Sequence, residues 1–144
     1  MTVTSDDPFN LARFGTAQAD VYPQVLRELA EGRKRTHWIW FIFPQVSGLG
    51  RSSTATYFAI RSAAEARAYL ADDLLASRLV ECTRLMVETP GNDATAILGS
   101  PDDLKFRSSM TLFAAVSDEP LFVRALEKFF AGEGDARTRA FLRA

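Results

Sequence analysis

Only one cysteine, Cys82, and one histidine, His37, occur among the 144 residues. A lone cysteine excludes an internal disulfide, and without a Cys/His set at ligand spacing no structural zinc site can be assembled. No metal and no cofactor is therefore expected. The N-terminal stretch "MTVTSDDPFN" has neither a basic leader nor an apolar core. The longest apolar run, Trp38 to Pro44, falls far short of the roughly 20 residues that span a bilayer. A cytoplasmic protein with no membrane partner is the expectation. An excess of one charge is also missing: 17 basic residues face 18 acidic ones. Nucleic acid thus meets no overall positive field and could be held only by a local patch.

What the chain does have is apolar content, 47% of its residues, in a length suited to one domain. Residues 1–8 read as a flexible tail and 9–144 as a single helical domain. Leu11, Phe14, Val21, Tyr22, Val25, Leu26 and Leu29 recur at helical spacing, with Asp20 as a cap and Pro23 in a first turn. Ser62 and Glu65 stand three apart as a capping box, and Glu65 is accounted for by that role. Asp72 or Asp73 opens a helix whose buried stripe is Leu75, Leu79, Cys82 and Met86. Ser100 at the N-cap with Pro101 at the first helical position predicts another, with Asp102 and Asp103 in its first turn. Ser117 and Asp135 cap the last two helices, the first of them presenting Leu121, Phe122, Ala125, Leu126, Phe129 and Phe130 on one face. Tyr57 and Tyr69 read as core residues whose hydroxyls reach solvent. The fold class is mainly α, a single compact multi-helix domain with a central irregular or short extended segment around 38–60.

Two blocks place polar chemistry against apolar structure. In "GRKRTHWIWFIFPQVSGLGRSS", Lys34, Arg35 and Arg51 bracket an aromatic segment, and Gly48, Gly50, Arg51 and Ser52 offer backbone N–H groups, a guanidinium and a hydroxyl. That set suits a phosphate or carboxylate, but it matches neither a Walker loop nor a dinucleotide fingerprint. The same residues also read as a surface turn whose cations offset a helix C-terminus. His37 is either a general acid or base, since imidazole titrates near neutrality, or a packed histidine beside Trp38. In "PDDLKFRSSMT", Asp102, Lys105 and Ser109 fall at i, i+3 and i+7, so a carboxylate, an ammonium and a hydroxyl share one helix face. The plainer account is a surface ion pair with small serines, Ser108 and Ser109, allowing close packing. Gln18 and Gln45 are candidates to bond buried backbone.

The segments "LRELAEGRKRTHWIWFIFPQVSGLGRSSTATYFAIRSAAEARAYL" and "ILGSPDDLKFRSSMTLF" resemble the bacterial domain of unknown function 1810 family, over nearly the whole chain. The resemblance implies a small, mainly α-helical single domain without an established reaction. It also implies a polar signature at Lys34, His37, Trp38, Gln45, Gly48, Gly50, Ser52, Asp102, Lys105, Ser108 and Ser109.

From these readings the expected site lies between the 32–53 loop and the 100–111 helix start. Its ligand would be a small phosphate-bearing or nucleotide-like anion, held by Lys34, Trp38, Gln45, Gly48, Gly50, Arg51, Ser52, Asp102 and Lys105. If the site hydrolyses or transfers a group, His37 is the acid or base and Ser109 or Ser108 the hydroxyl. Two other readings are a non-catalytic interaction module presenting Trp38, Trp40, Phe41 and Phe43, and a homodimer formed through the Phe-rich 118–131 helix. The chain is expected to be a monomer or a homodimer.

Overall fold

A computed structural model of the protein describes residues 7–144. The tail expected over residues 1–8 lies mostly outside these. Asp7, where the description begins, accepts hydrogen bonds from the N–H groups of Leu11 (2.6 Å) and Ala12 (2.9 Å).

Among the described residues the regular secondary structure is helix alone, apart from one isolated parallel bridge, Val46 with Ile60. The ten helices are α1 (Ala12–Ala19), α2 (Tyr22–Ala30), α3 (Ile39–Ile42), α4 (Ser53–Tyr57), α5 (Ala63–Ala71), α6 (Asp73–Glu88), α7 (Ala94–Leu98), α8 (Asp102–Val116), α9 (Pro120–Phe130) and α10 (Ala136–Arg143). Helix α8 is the centre, packed against α5, α7, α9, α10 and α3. Phe106 and the unbroken run Ser108 to Phe113 are buried on it, so most of its circumference is enclosed. Helix α6 presents Leu75, Leu79, Cys82 and Met86 to α2, α5 and α9, as the spacing predicts.

The caps follow the sequence at α5, α6 and α10. Ser62 Oγ accepts from Glu65 N at 3.0 Å, Asp72 Oδ1 from Leu75 N at 3.0 Å, and Asp135 Oδ2 from Thr138 N at 2.8 Å. Three other starts differ from expectation. Helix α8 begins at Asp102 after Pro101, with no side-chain cap and with Ser100 exposed. Helix α9 is capped by Glu119, whose carboxylate accepts from Leu121 N, while Ser117 Oγ accepts from Glu119 N one step earlier. Helix α2 follows Val21 rather than Asp20. In each case the true start lies one or two residues from the expected one, a shift that leaves the buried face unchanged.

The segment 38–60 is largely irregular, one of the two forms expected for it, and in place of longer extended pieces it holds two single helical turns, α3 and α4. An extended run needs a neighbouring strand for its N–H and C=O groups, and here one exists for only a few residues. Ile60 N donates to Gln45 O and Ser47 N to Ile60 O, both at 2.9 Å. Elsewhere the backbone closes its bonds locally, and the helical turn sends Ile39 and Ile42 together into the core. Trp38 and Trp40 therefore do not share a face: Trp38 is 1% exposed and Trp40 half-buried. Tyr57 lies on the surface at 54% exposure, contrary to its expected core position. Tyr69 is in the core, with its hydroxyl accepting from Gln18 Nε2 (3.3 Å) and not reaching solvent.

Glu65 does more than complete a capping box. Its Oε1 accepts from Arg61 N (3.0 Å) and its Oε2 from Arg13 (2.7 Å), a pair in which both side chains are buried. The remaining Arg13 donors go to the carbonyls of Phe9, Asn10, Tyr57 and Ala59 at 2.7–3.0 Å. One guanidinium thus ties together the chain before α1, the end of α4 and the start of α5.

Two glycines give opposite expectations for the same substitution. A Cβ at Gly50 would sit 2.6 Å from Ala55 Cβ, where the loop crosses α4, whereas at Gly15, inside α1, it would meet nothing within 4 Å. Gly50→Ala is expected to destabilise by about 1–3 kcal/mol. Gly15→Ala should stabilise by about 0.5–1 kcal/mol. Urea unfolding of the two variants side by side checks the sign of each.

Candidate functional site

The loop that carries Lys34 and His37 is fixed by a buried carboxylate. Glu28, on α2, accepts from Arg35 N (2.8 Å), Thr36 N (3.1 Å), Thr36 Oγ1 (2.7 Å), Trp38 Nε1 (2.9 Å) and Gln24 Nε2 (2.8 Å). Burial alone pushes this carboxyl up, but the donors from Arg35, Gln24, Thr36 and Trp38 outweigh it and bring it down from 4.5 to about 2. The loop is anchored on its other side by Lys34 N, which donates to Ile97 O of α7 at 2.7 Å.

This docking brings the two polar blocks of the sequence together. Lys34 Nζ lies 2.8 Å from Asp102 Oδ2, and Lys105 Nζ lies 3.5 Å from Asp102 Oδ1. Each ammonium also stands over a tryptophan, Lys34 over Trp38 at 5.2 Å and Lys105 over Trp40 at 5.0 Å. Lys34 is therefore neutralised and nearly covered, with its side chain 7% exposed.

Beside this cluster a cleft of about 300 Å³ opens between residues 45–49, the start of α8 and the start of α10. Leu49, Pro101 and Leu104 supply apolar wall, and Gln45 and Ser108 supply neutral polar groups. Lys105, Arg107 and Arg137 bring positive charge to it. Asp135 is the one carboxylate among its lining residues, while just outside it Asp102 pairs with Lys105 at 3.5 Å and the exposed Glu133 with Arg107 at 3.6 Å. The Asp135 carboxylate is turned to α10, where its Oδ2 accepts from both Thr138 N and Thr138 Oγ1. Arg107 Nε donates to Glu133 O (2.9 Å), and Arg137 donates to Gly48 O (3.0 Å), which fastens the glycine turn to α10.

Of the residues expected to form the site, Gln45, Lys105 and Ser108 line this cleft. Gly48 contributes through its carbonyl and Lys34 and Asp102 stand behind Lys105. Others have structural work. Gly50 allows the close approach to Ala55, Ser52 Oγ caps α4 by accepting from Ala55 N (3.0 Å), and Trp38 is a core residue bonded to Glu28. Arg51 is exposed and outside the cleft lining. Ser108 Oγ donates to Leu104 O at 3.1 Å, while Ser109 Oγ is buried without a hydrogen-bond partner. His37 is exposed. The fold thus does not join His37 to Ser109 by a hydrogen bond, as an activated hydroxyl would need. Cys82 offers no alternative nucleophile, since burial pushes its thiol up to about 12.

Sequence reasoning did not select Leu49, Leu104, Arg107, Asp135 or Arg137. Arg107 stands inside the "PDDLKFRSSMT" block, one position from the expected Ser108. Arg137 carries no local signal, because only the packing of α10 on α8 brings it to the glycine turn.

The aromatic patch expected of an interaction module is not on the surface. Trp38 and Phe43 are buried at 1% and 0% exposure, and Trp40 and Phe41 are half-buried against the core. The apolar face of α9 is likewise engaged, with Leu121, Phe122, Ala125 and Leu126 buried and Phe129 and Phe130 packed around Phe106.

The family profile described as "Protein of unknown function (DUF1810)" matches residues 8–142. The chain belongs to this family. Among solved structures it is similar to the crystal structure of the conserved hypothetical protein Rv1873 from Mycobacterium tuberculosis, at 52% identity over 96% of this chain and 99% of that one, with a TM-score of 0.94. None of the curated proteins compared with the chain matches it. The family therefore fixes the helical fold and leaves the chemistry of the cleft to be argued from its residues. No helix among the described residues is long and apolar enough to cross a membrane.

Proposed function

We propose that the cleft between residues 45–49, α8 and α10 binds a small organic anion, a phosphate-bearing or nucleotide-like molecule. The observation that carries this reading is the gathering of Lys105, Arg107 and Arg137 at one cleft whose one lining carboxylate, Asp135, is committed to a helix cap, with Asp102 and the exposed Glu133 reaching Lys105 and Arg107 only at 3.5 and 3.6 Å. Arginine forks and an ammonium suit phosphate oxygens, and Leu49 and Leu104 suit the organic part. The volume matches the lower range of small-molecule sites. Binding comes before catalysis in this reading. A group transfer here would draw its hydroxyl from Ser108, which lines the cleft, rather than from Ser109. His37 would join such chemistry only by reaching the cleft from its exposed loop. The cytoplasm is the compartment that suits a free, buried cysteine.

A thermal-shift screen of nucleotides, sugar phosphates and small carboxylates tests the proposal. A ligand at a hundred times its Kd adds about 2.7 kcal/mol of stability, a rise of several degrees in Tm. The rise is expected with a phosphate-bearing compound and is expected to vanish in a folded Lys105→Ala/Arg137→Ala variant. No shift with any compound, or the same shift in the variant, overturns the reading.

A further inference from the structure

We propose that Lys34, although outside the cleft, sets the charge of the cleft by holding Asp102 away from Lys105. This rests on the anion-binding reading above and names the device that regulates that site. Asp102 stands between two ammonium groups and contacts them unequally: Lys34 at 2.8 Å, a close ion pair, and Lys105 at 3.5 Å, a looser one. The Lys34 side chain is 7% exposed and that of Lys105 is 23% exposed, so solvent screens the first pair less than the second.

Lys34 is held from several sides. Its N–H is fastened to Ile97 O, and its ammonium rests over Trp38, whose ring N–H is held by Glu28. Lys105 is loosely held by comparison, over the half-buried Trp40 and at the edge of the cleft. Together the three groups carry one net positive charge, and the unequal distances leave it mainly on Lys105, the ammonium farther from the carboxylate. Without Lys34, Asp102 and Lys105 are left as an i,i+3 pair on α8, which is neutral. The cleft would then lose the charge of a lysine that is still present.

The test uses Lys34→Met, which keeps the buried stem, together with Asp102→Asn and the double variant, each confirmed as folded. Isothermal titration with inorganic phosphate reads the cleft. Lys34→Met is expected to weaken phosphate binding about fivefold or more, Asp102→Asn to strengthen it, and the double variant to return toward the wild type. A crystal structure of Lys34→Met gives a second reading that needs no ligand: Lys105 Nζ should close on Asp102 to a direct contact. Weakened binding that Asp102→Asn does not reverse, or a Lys105 that stays where it is in folded Lys34→Met, overturns the proposal. If the wild type binds no phosphate yet Lys105 closes on Asp102 in the variant, the charge-setting role stands and the anion-binding reading fails.

Discussion

Arg13→Ala is expected to destabilise the native state by about 3–5 kcal/mol, because it strands the Glu65 carboxylate in a site built around a guanidinium. The side chains are 6% and 4% exposed, and all the bonds that Arg13 makes to Glu65 and to the carbonyls of Phe9, Asn10, Tyr57 and Ala59 disappear together. Unpaired carbonyls in a buried junction add their own cost. In a protein of this length the loss corresponds to a fall of about 10 °C in Tm, measurable by calorimetry. The pair itself is a different matter from its rupture. Arg13→Met/Glu65→Leu should be less damaging than Arg13→Ala alone, since both charges then leave the interior. A loss under about 1 kcal/mol in Arg13→Ala would mean that Glu65 finds water or another donor.

Glu28→Ala is expected to cost about 3 kcal/mol and to loosen the loop between α2 and α3. Trp38 Nε1, Arg35 N and Thr36 N all lose their acceptor, and Trp38 Nε1 is buried. The same carboxylate should make stability depend on acid. Its folded value, about 2, lies below the ordinary 4.5, so its contribution is complete above pH 4.5 and is lost progressively as pH falls toward 2. The size is about 3 kcal/mol over that window. Urea midpoints measured from pH 6 down to pH 2.5 should fall more steeply for the wild type than for Glu28→Gln, which has no proton to take up there. Parallel curves for the two proteins would assign the acid sensitivity to other carboxylates.

These two hubs mark a boundary in what the sequence made legible. Capping by Ser62, Asp72 and Asp135 could be read from local spacing, because the capping oxygen and the N–H it accepts from are three residues apart. The stripe on α6 could be read for the same reason. Arg13 and Glu65 are 52 residues apart, and although Ser62 marks Glu65 as a capping partner, nothing in either neighbourhood signals the buried pair they form. Glu28 looked like any helix glutamate, although it stands 10 residues before the indole it holds.

The candidate site divides along the same line. "GRKRTHWIWFIFPQ" and "PDDLKFRSSMT" were recognisable as polar blocks, and the contact of Lys34 with Asp102 joins them. Within each block the sequence could not separate residues that face the cleft from residues that hold the backbone. Gly50 and Ser52 shape the turn, whereas Gln45 and Lys105 look into the cleft. Of the two forms expected for 38–60, irregular or short extended, the irregular one prevails, because aromatic, β-branched composition favours a strand only where a partner strand exists, and Val46 with Ile60 is as much pairing as these segments have.

By itself the sequence determined the helical class, most helix boundaries to within a residue or two, the single buried cysteine and the two regions where charge meets aromatic structure. Those follow from interactions that reach no further than one helical turn, so the order of residues along the chain contains them. The tertiary structure alone decided which lysine is neutralised and which faces the cleft, that Ser109 is buried away from His37, and that Arg137 arrives from α10 to close the glycine turn. Charge and burial at these positions depend on what packs opposite, and the opposing groups come from chain segments tens of residues away.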